Sequence, residues 1–490
     1  MIGARNVLLA FLCLGLIGLS LWRLEGARAG LTTEHLTLGY TPVTLWHPPG
    51  DAPAPLVVVA HGYGGSRQMM EPMAIALARA GLLAATFDFY GHGRNGEPMR
   101  GNLRTIDGVT EALVGQTQAL AERLITRGDV AGIGGFVGHS MATDIVIRAA
   151  RRLGDPGPVV AISMYSEAVT AEEPAKLLIV SGAQEAGLRE VALDRVRLVD
   201  PGAEEGERVK AGPVVRQALS IPSVGHVGVI YAPASLEAVQ SWVIAGAGQG
   251  SSAPVPRLGP WIGLLVIALM GLAWPLTRLL PKREAPLSRP DKRTIWIALA
   301  AAPLTAILAA AFMPPVFGLN AFGPIAAFFA VWGAVQLAVL FSRGVQIPAP
   351  SLLGLFCVLL WSLGLFALAL DRYGAAYLPL GPRQEVMALL VVGTIPFCLA
   401  DGLMARTYGW AARLFARITP VVALFGAMLL TPDLGVAYTV LPVFLMFWLV
   451  HGLVGRWIAL RTGPTGVALG LGVVLAWSVA ASTPLVAVPA

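Results

Sequence analysis

The stretch "GGFVGHSMATD", Gly134–Asp144, sets a single serine between a glycine and a small residue at the end of an apolar run. Its setting decides how that serine is read. Upstream, "APLVVVAHG" is short, continuous and rich in β-branched residues, the signature of a parallel strand buried on both faces. The helical stretch "RQMMEPMAIALARAG", the strand "LLAATFDF" and an amphipathic helix from about Asp107 to Arg127 follow, leading into the strand "VAGIGGFVG". Downstream, the helix "MATDIVIRAARRL" precedes the strands "PVVAISMY" and "KLLIVSG", a helix near "LREVALDRVRLV", the strand "VVRQALSIP" and a last helix "ASLEAVQSWVIAG". Strands alternating with helices predict an α/β fold, a mostly parallel sheet with helices on both faces. Ligands of such sheets bind beyond the carboxyl ends of the strands, where Ser140 lies.

The rest of the chain belongs to a different physical regime. Of 490 residues, 56% are hydrophobic and 13% charged, against about 25% charged in an ordinary soluble domain. Most acidic residues fall between Glu25 and Glu237, and the chain from Trp261 onward is a series of apolar runs. A bilayer core needs roughly 20 apolar residues per helix. Candidate spans lie near residues 7–22, 261–280, 295–312, 321–341, 352–370, 386–400, 418–430, 436–450 and 467–480. The expected organisation is an N-terminal anchor or signal peptide over 1–29, an α/β domain over 30–245, a linker over 246–258 and an all-α polytopic transmembrane domain of eight helices over 259–490.

The net charge of +6 does not point to nucleic acid, because the cations sit in short loops between apolar runs. With the first segment entering from the cytoplasm, "RLLPKREAPLSRPDKR", Arg343, the group Arg406, Arg413 and Arg417, and the pair Arg456 and Arg461 all fall on the cytoplasmic side. Arg257, Arg372 and Arg383 are left outside. The expected location is a bacterial inner membrane with the α/β domain facing the periplasm. Asp401 and His451 are placed at cytoplasmic helix ends. The three cysteines lie inside apolar runs without metal-like spacing, so neither a disulfide nor a zinc site is expected.

Within Gly138-His139-Ser140-Met141-Ala142 the serine has the strand-turn-helix setting of a nucleophile elbow. Here the chain resembles the α/β-hydrolase superfamily, serine hydrolases of the esterase and lipase type, over roughly residues 30–250. Ala142 replaces the commoner glycine. The resemblance implies Ser140 as nucleophile, followed in chain order by an acid and a histidine. His226, in "IPSVGHVGV" between the last strand and last helix, matches the family's histidine loop. Glu185, in "KLLIVSGAQEAG", stands where the family more often has aspartate; Glu167 is the substitute. "AHGYGGS" resembles the family's His-Gly oxyanion loop and makes the Tyr63 N–H one donor, with the Met141 N–H as the other. "DFYGHGRNG" resembles a conserved turn of the family, with Asn95 in a serine place and a structural role.

No cofactor is implied, since "HGYGGS" is not a dinucleotide fingerprint. Only about a dozen residues separate "AISMY" from "KLLIV", where many relatives insert a cap, so an open site is expected. The reading is a membrane-anchored serine hydrolase acting on a small-molecule or lipid ester among membrane lipids. The alternative of another class is a lipid-binding or transport protein whose hydrolase-like part is a non-catalytic binding module.

Overall fold

The computed structural model describes residues 3–488 except 104, 155, 284–289, 406 and 432. Arg406 and positions 284–289 of the basic loop therefore lie outside the described residues. After helix α1 (Ala4–Gly26), a hairpin of β1 (Thr32–Leu38) and β2 (Thr41–His47) opens a nine-stranded sheet. It continues through β3 (Ala54–Ala60), α2 (Glu71–Arg79), β4 (Leu83–Phe87), α3 (Glu111–Ile125), β5 (Val130–His139), α4 (Ala142–Arg152) and β6 (Val159–Ile162). It closes with β7 (Lys176–Gly182), α5 (Ala186–Arg197), β8 (Arg208–Ala211), β9 (Val214–Ile221) and α6 (Pro233–Ala247). The spatial order is β1-β2-β4-β3-β5-β6-β7-β9-β8, parallel from β4 to β9 and antiparallel at the β1, β2 and β8 edges.

Apolar runs and burial coincide. All of β3, "APLVVVA", is buried because helices cover both faces of the sheet centre, whereas the edge strand β1 is largely exposed. Helix α4 turns Ile145, Val146, Ala149 and Ala150 to the sheet and carries Arg148, Arg151 and Arg152 on its other side.

Among the described residues nine helices are long and apolar enough to cross a membrane: Ala4–Gly26, Leu258–Thr277, Lys292–Phe312, Phe322–Ser342, Leu352–Tyr373, Pro382–Met404, Trp410–Leu430, Val440–Thr462 and Pro464–Ser482. These mark a membrane protein. In the bundle, Pro382–Met404 packs between Phe322–Ser342 and Pro464–Ser482. A Cβ on Gly393 would lie 2.3 Å from the Ala326 carbonyl oxygen, so only glycine allows the helices to approach this closely.

Several helix ends differ from the sequence expectation. Val440–Thr462 extends well past residue 450, carrying Arg456 and Arg461 within it, because long cationic side chains can run along an apolar helix and reach polar surroundings. His451 is consequently not at a helix end. It is buried mid-helix against Trp361, Phe366 and Phe447 and hydrogen-bonds Ser362 Oγ at 3.0 Å. Asp401 is likewise buried rather than solvated, paired with Arg417 of the next helix.

The α/β half is docked on one end of the bundle. The segment 248–257 lies along it rather than hanging free: Ser251 N–H donates to Ala80 O at 2.9 Å and Ala253 N–H to Gln240 Oε1 at 3.0 Å. Arg94 pairs with Asp371, and Arg28 with Glu71. At the centre, the buried Arg383 donates to Gly91 O (2.7 Å) and Gly93 O (3.2 Å) on one side and to Ala480 O and Thr483 O (both 2.7 Å) on the other. Replacing Arg383 with alanine removes the charge-assisted donor from these buried carbonyls, leaving Gly91 O only the Leu485 N–H, which costs on the order of 3 kcal/mol. Arg383→Ala is expected to lower the thermal unfolding midpoint of the detergent-solubilised chain by several degrees, whereas Arg100→Ala, at an exposed i,i+3 pair, leaves it within a degree.

Candidate active site

Strand β5 ends at His139, and Ser140 turns the chain into α4 with φ +54°, a left-handed conformation that costs a non-glycine residue on the order of 1–3 kcal/mol. The turn is held by its surroundings. Ser140 N–H donates to Ile162 O at 2.9 Å, and Thr143 Oγ1 donates to Ser140 O at 2.7 Å. A Cβ on Gly138 would lie 2.6 Å from Ala142 O and 2.8 Å from Val146 Cγ2, so the elbow closes only over glycine there.

The other side chains come from the carboxyl ends of neighbouring parallel strands. Glu185 follows β7, and His226 lies in the loop after β9. His226 Nε2 is 2.8 Å from Ser140 Oγ, and its Nδ1 is 2.6 Å from Glu185 Oε1. A carboxylate only accepts, so Nδ1 carries the proton and the Nε2 lone pair faces the serine hydroxyl. Glu185 Oε2 also accepts from Ser163 Oγ and from Gly182 N–H, each at 2.7 Å. Burial pushes the Glu185 carboxyl up, but the bonds from His226, Ser163 and Gly182 outweigh it and hold the group below the ordinary glutamate range. It therefore stays ionised as pH falls through the mildly acid range. Glu167 is exposed and has no hydrogen bond to His226.

Loop 61–65 lies directly against the elbow, since a Cβ on Gly62 would be 2.9 Å from Ser140 Cβ. The backbone N–H groups of Tyr63 and Met141 have no hydrogen-bond partner among the described residues. His61 Nδ1 donates to Gly62 O at 2.8 Å while its Nε2 accepts from Phe89 N–H at 3.2 Å, which fixes the loop and the tautomer together.

Two motifs carry supports beyond the roles their sequence reading gives them. His139 Nε2 donates to the His226 carbonyl at 2.8 Å, and burial pushes the His139 pKa down to about 4, so the ring is neutral at pH 7 and pins the histidine loop. The turn 88–96 does more than shape its own half. Buried Asp88 accepts from Arg67 N–H and Arg94 N–H, and the glycines that follow present their carbonyls to Arg383. His139 adjoins Ser140 in the elbow motif, but nothing in the sequence ties it to residue 226.

Beside the elbow lies a pocket of about 430 Å³, lined by Tyr63, Leu103, Val109, Leu113, Met141, Asp144 and Ile145 of the α/β half and by Gly435, Val436 and Tyr438 of the bundle. No helix forms between β6 and β7, so no cap of its own covers the site, and the His226 side chain is 46% exposed. The openness expected from that short connection holds on one side only, because segment 433–439 of the bundle stands on the other. Among the described residues the one cluster with metal-ligand spacing is Glu34, His47 and Asp129, away from Ser140. Arg127 already bridges both of its carboxylates at 2.8 Å.

This sheet, with a strained serine at a strand-to-helix turn and a histidine after the last parallel strand, is the α/β-hydrolase fold, joined here to a bundle of long apolar helices. Residues 51–186 match the family model described as serine aminopeptidase, S33. Similar solved structures include TT1662 from Thermus thermophilus, with 17% identity over 45% of this chain and 99% of that one (TM-score 0.32). Dienelactone hydrolase from Anabaena variabilis shows 16% identity over 45% and 99% (TM-score 0.32). A membrane phospholipase A described as a bacterial virulence factor shows 12% over 49% and 94% (TM-score 0.33). Comparison with curated proteins yields no match.

The strain at Ser140 gives a stability test separable from chemistry. Ser140→Gly is expected to stabilise the chain by about 1 kcal/mol relative to Ser140→Ala, which keeps the left-handed penalty. Thermal unfolding of the two variants side by side measures the difference.

Proposed function

We propose that the protein is a membrane-anchored serine hydrolase that cleaves a carboxylic ester or lipid-like acyl substrate through an acyl-enzyme, with its hydrolase half on the periplasmic side of a bacterial inner membrane. The observation that carries this reading is the unbroken line of hydrogen bonds from Glu185 through His226 to Ser140. In it, Ser140 Oγ attacks the acyl carbon as its proton passes to His226 Nε2, and Glu185 stabilises the imidazolium. The N–H groups of Tyr63 and Met141 receive the charge that develops on the carbonyl oxygen. His226 then returns the proton to the departing alkoxide, leaving Ser140 acylated. A water molecule, deprotonated by the same nitrogen, attacks the acyl carbon, and the carboxylic acid leaves as Ser140 recovers its hydrogen.

An ester fits better than an aminoacyl peptide. The ammonium of an N-terminal residue needs a free carboxylate, and the acid lining the pocket, Asp144, already accepts from Arg148 Nε (2.8 Å) and Ser166 Oγ (2.7 Å). The remaining lining is mostly apolar.

The full-length protein in detergent is expected to release carboxylate from short p-nitrophenyl esters and to be labelled by a fluorophosphonate. Ser140→Ala should abolish both. Glu185→Gln, which keeps shape but removes charge, should lower kcat on the order of 10²–10⁴-fold. Folded wild-type protein that shows neither turnover nor labelling would refute the reading, and faster release from aminoacyl p-nitroanilides than from esters would move the substrate class to peptides.

A further inference from the structure

The wall of the pocket beside Ser140 is built by two parts of the chain far apart in sequence, and the second of them belongs to the helical bundle. Residues 433–439, ahead of the helix Val440–Thr462, lie at the end of the bundle that faces the sheet. Gly435, Val436 and Tyr438 line the pocket opposite Leu103, Val109, Leu113, Met141 and Ile145. Val436 packs against both the core of the α/β half and the core of the bundle. The loop also grips the residue that presents the expected oxyanion donor: Tyr63 Oη donates to Val436 O at 2.5 Å, and the Tyr63 ring stacks on Tyr438 with centroids 5.3 Å apart and planes 14° apart.

These contacts do not resemble a tether that merely holds an enzyme near a surface. A tether needs no aromatic stack on the oxyanion loop and no apolar wall next to the nucleophile. Volume and lining match a small-ligand pocket, concave and largely apolar with few polar groups. It lies at the ends of helices long and apolar enough to cross a membrane, where a bilayer surface would offer acyl chains.

We infer that segment 433–439 of the membrane half is a working part of the substrate site, closing an acyl-chain pocket whose occupant is the fatty acyl group of an amphiphile taken from the adjacent bilayer surface. Val436 and Tyr438 set the chain length that fits, and their contacts with Tyr63 hold the oxyanion loop in register. This rests on the serine-hydrolase reading above, to which it adds the substrate class and the reason the two halves share one chain.

The test compares kcat/KM for p-nitrophenyl octanoate and p-nitrophenyl acetate on full-length protein in detergent, with fluorophosphonate labelling as a check on the nucleophile. Wild type should favour octanoate. Val436→Phe, which fills the pocket from the bundle side, should lower the octanoate-to-acetate ratio at least tenfold. Tyr438→Ala, which opens the wall, should shift the same ratio at least threefold. Should Val436→Phe fail to take the probe, Leu103→Trp fills the pocket from the opposite wall and is expected to lower the ratio in the same way. Probe-labelled variants whose ratio stays within twofold of wild type would overturn the inference and leave the hydrolase reading standing. Wild-type protein that neither turns over ester nor takes the probe would remove both.

Discussion

A single buried guanidinium joins the two halves of this molecule. Arg383, at the start of a membrane helix, has its donors shared between the glycine turn of the α/β half and the carboxyl end of the last helix. Charge-assisted bonds to carbonyls in a water-poor junction are directional, so they fix orientation as well as proximity. Around this point the Arg94–Asp371 pair, the backbone bonds between Gly91 and Leu485 and the Tyr63–Tyr438 stack all become possible at once. The turn that Arg383 grips also holds Asp88, whose carboxylate fixes Arg67 and Arg94. The junction and the loops around the site are therefore parts of one connected arrangement.

Ser140 depends on a second constraint. A left-handed serine persists only where its neighbours leave no alternative, and Gly138, Ala142 and the bond from Ser140 N–H to Ile162 O supply that compulsion. The result aims the hydroxyl at His226, whose own backbone is pinned by neutral His139 and whose ring is oriented by Glu185. Glu185 in turn is fixed by Ser163 and the backbone of Gly182. Each group is positioned by the next, and all of them rise from the same edge of the parallel sheet.

The two halves solve opposite problems with the same means. In the α/β half, apolar side chains leave water, and strands such as β3 are wholly enclosed. In the bundle, where lipid is as apolar as leucine, close packing at positions such as Gly393 replaces that driving force. Charges within the bundle are few, and the buried Asp401 is paired with Arg417.

Much of this was readable along the chain. Local periodicity encodes burial, so the alternation of strands and helices, the elbow around Ser140 and the number of long apolar segments could be read from neighbouring residues alone. Glu185 and His226 could be nominated because the loops that carry them resemble the acid and histidine loops of the α/β-hydrolase family. The ends of Val440–Thr462 could not, since Arg456 and Arg461 look like loop cations until their helix is seen to carry them. Nor could the roles of Arg383, His139 and Val436. Arg383 reads as an outward loop charge and Val436 as one more apolar residue near a span. What each does depends on groups from about ninety to nearly four hundred positions away. Sequence by itself determined which segments fold into which elements, because that is a matter of neighbours. Only the tertiary structure decided that the end of a membrane bundle becomes a wall of the pocket beside Ser140, because that contact exists only once two independently patterned halves are pressed together.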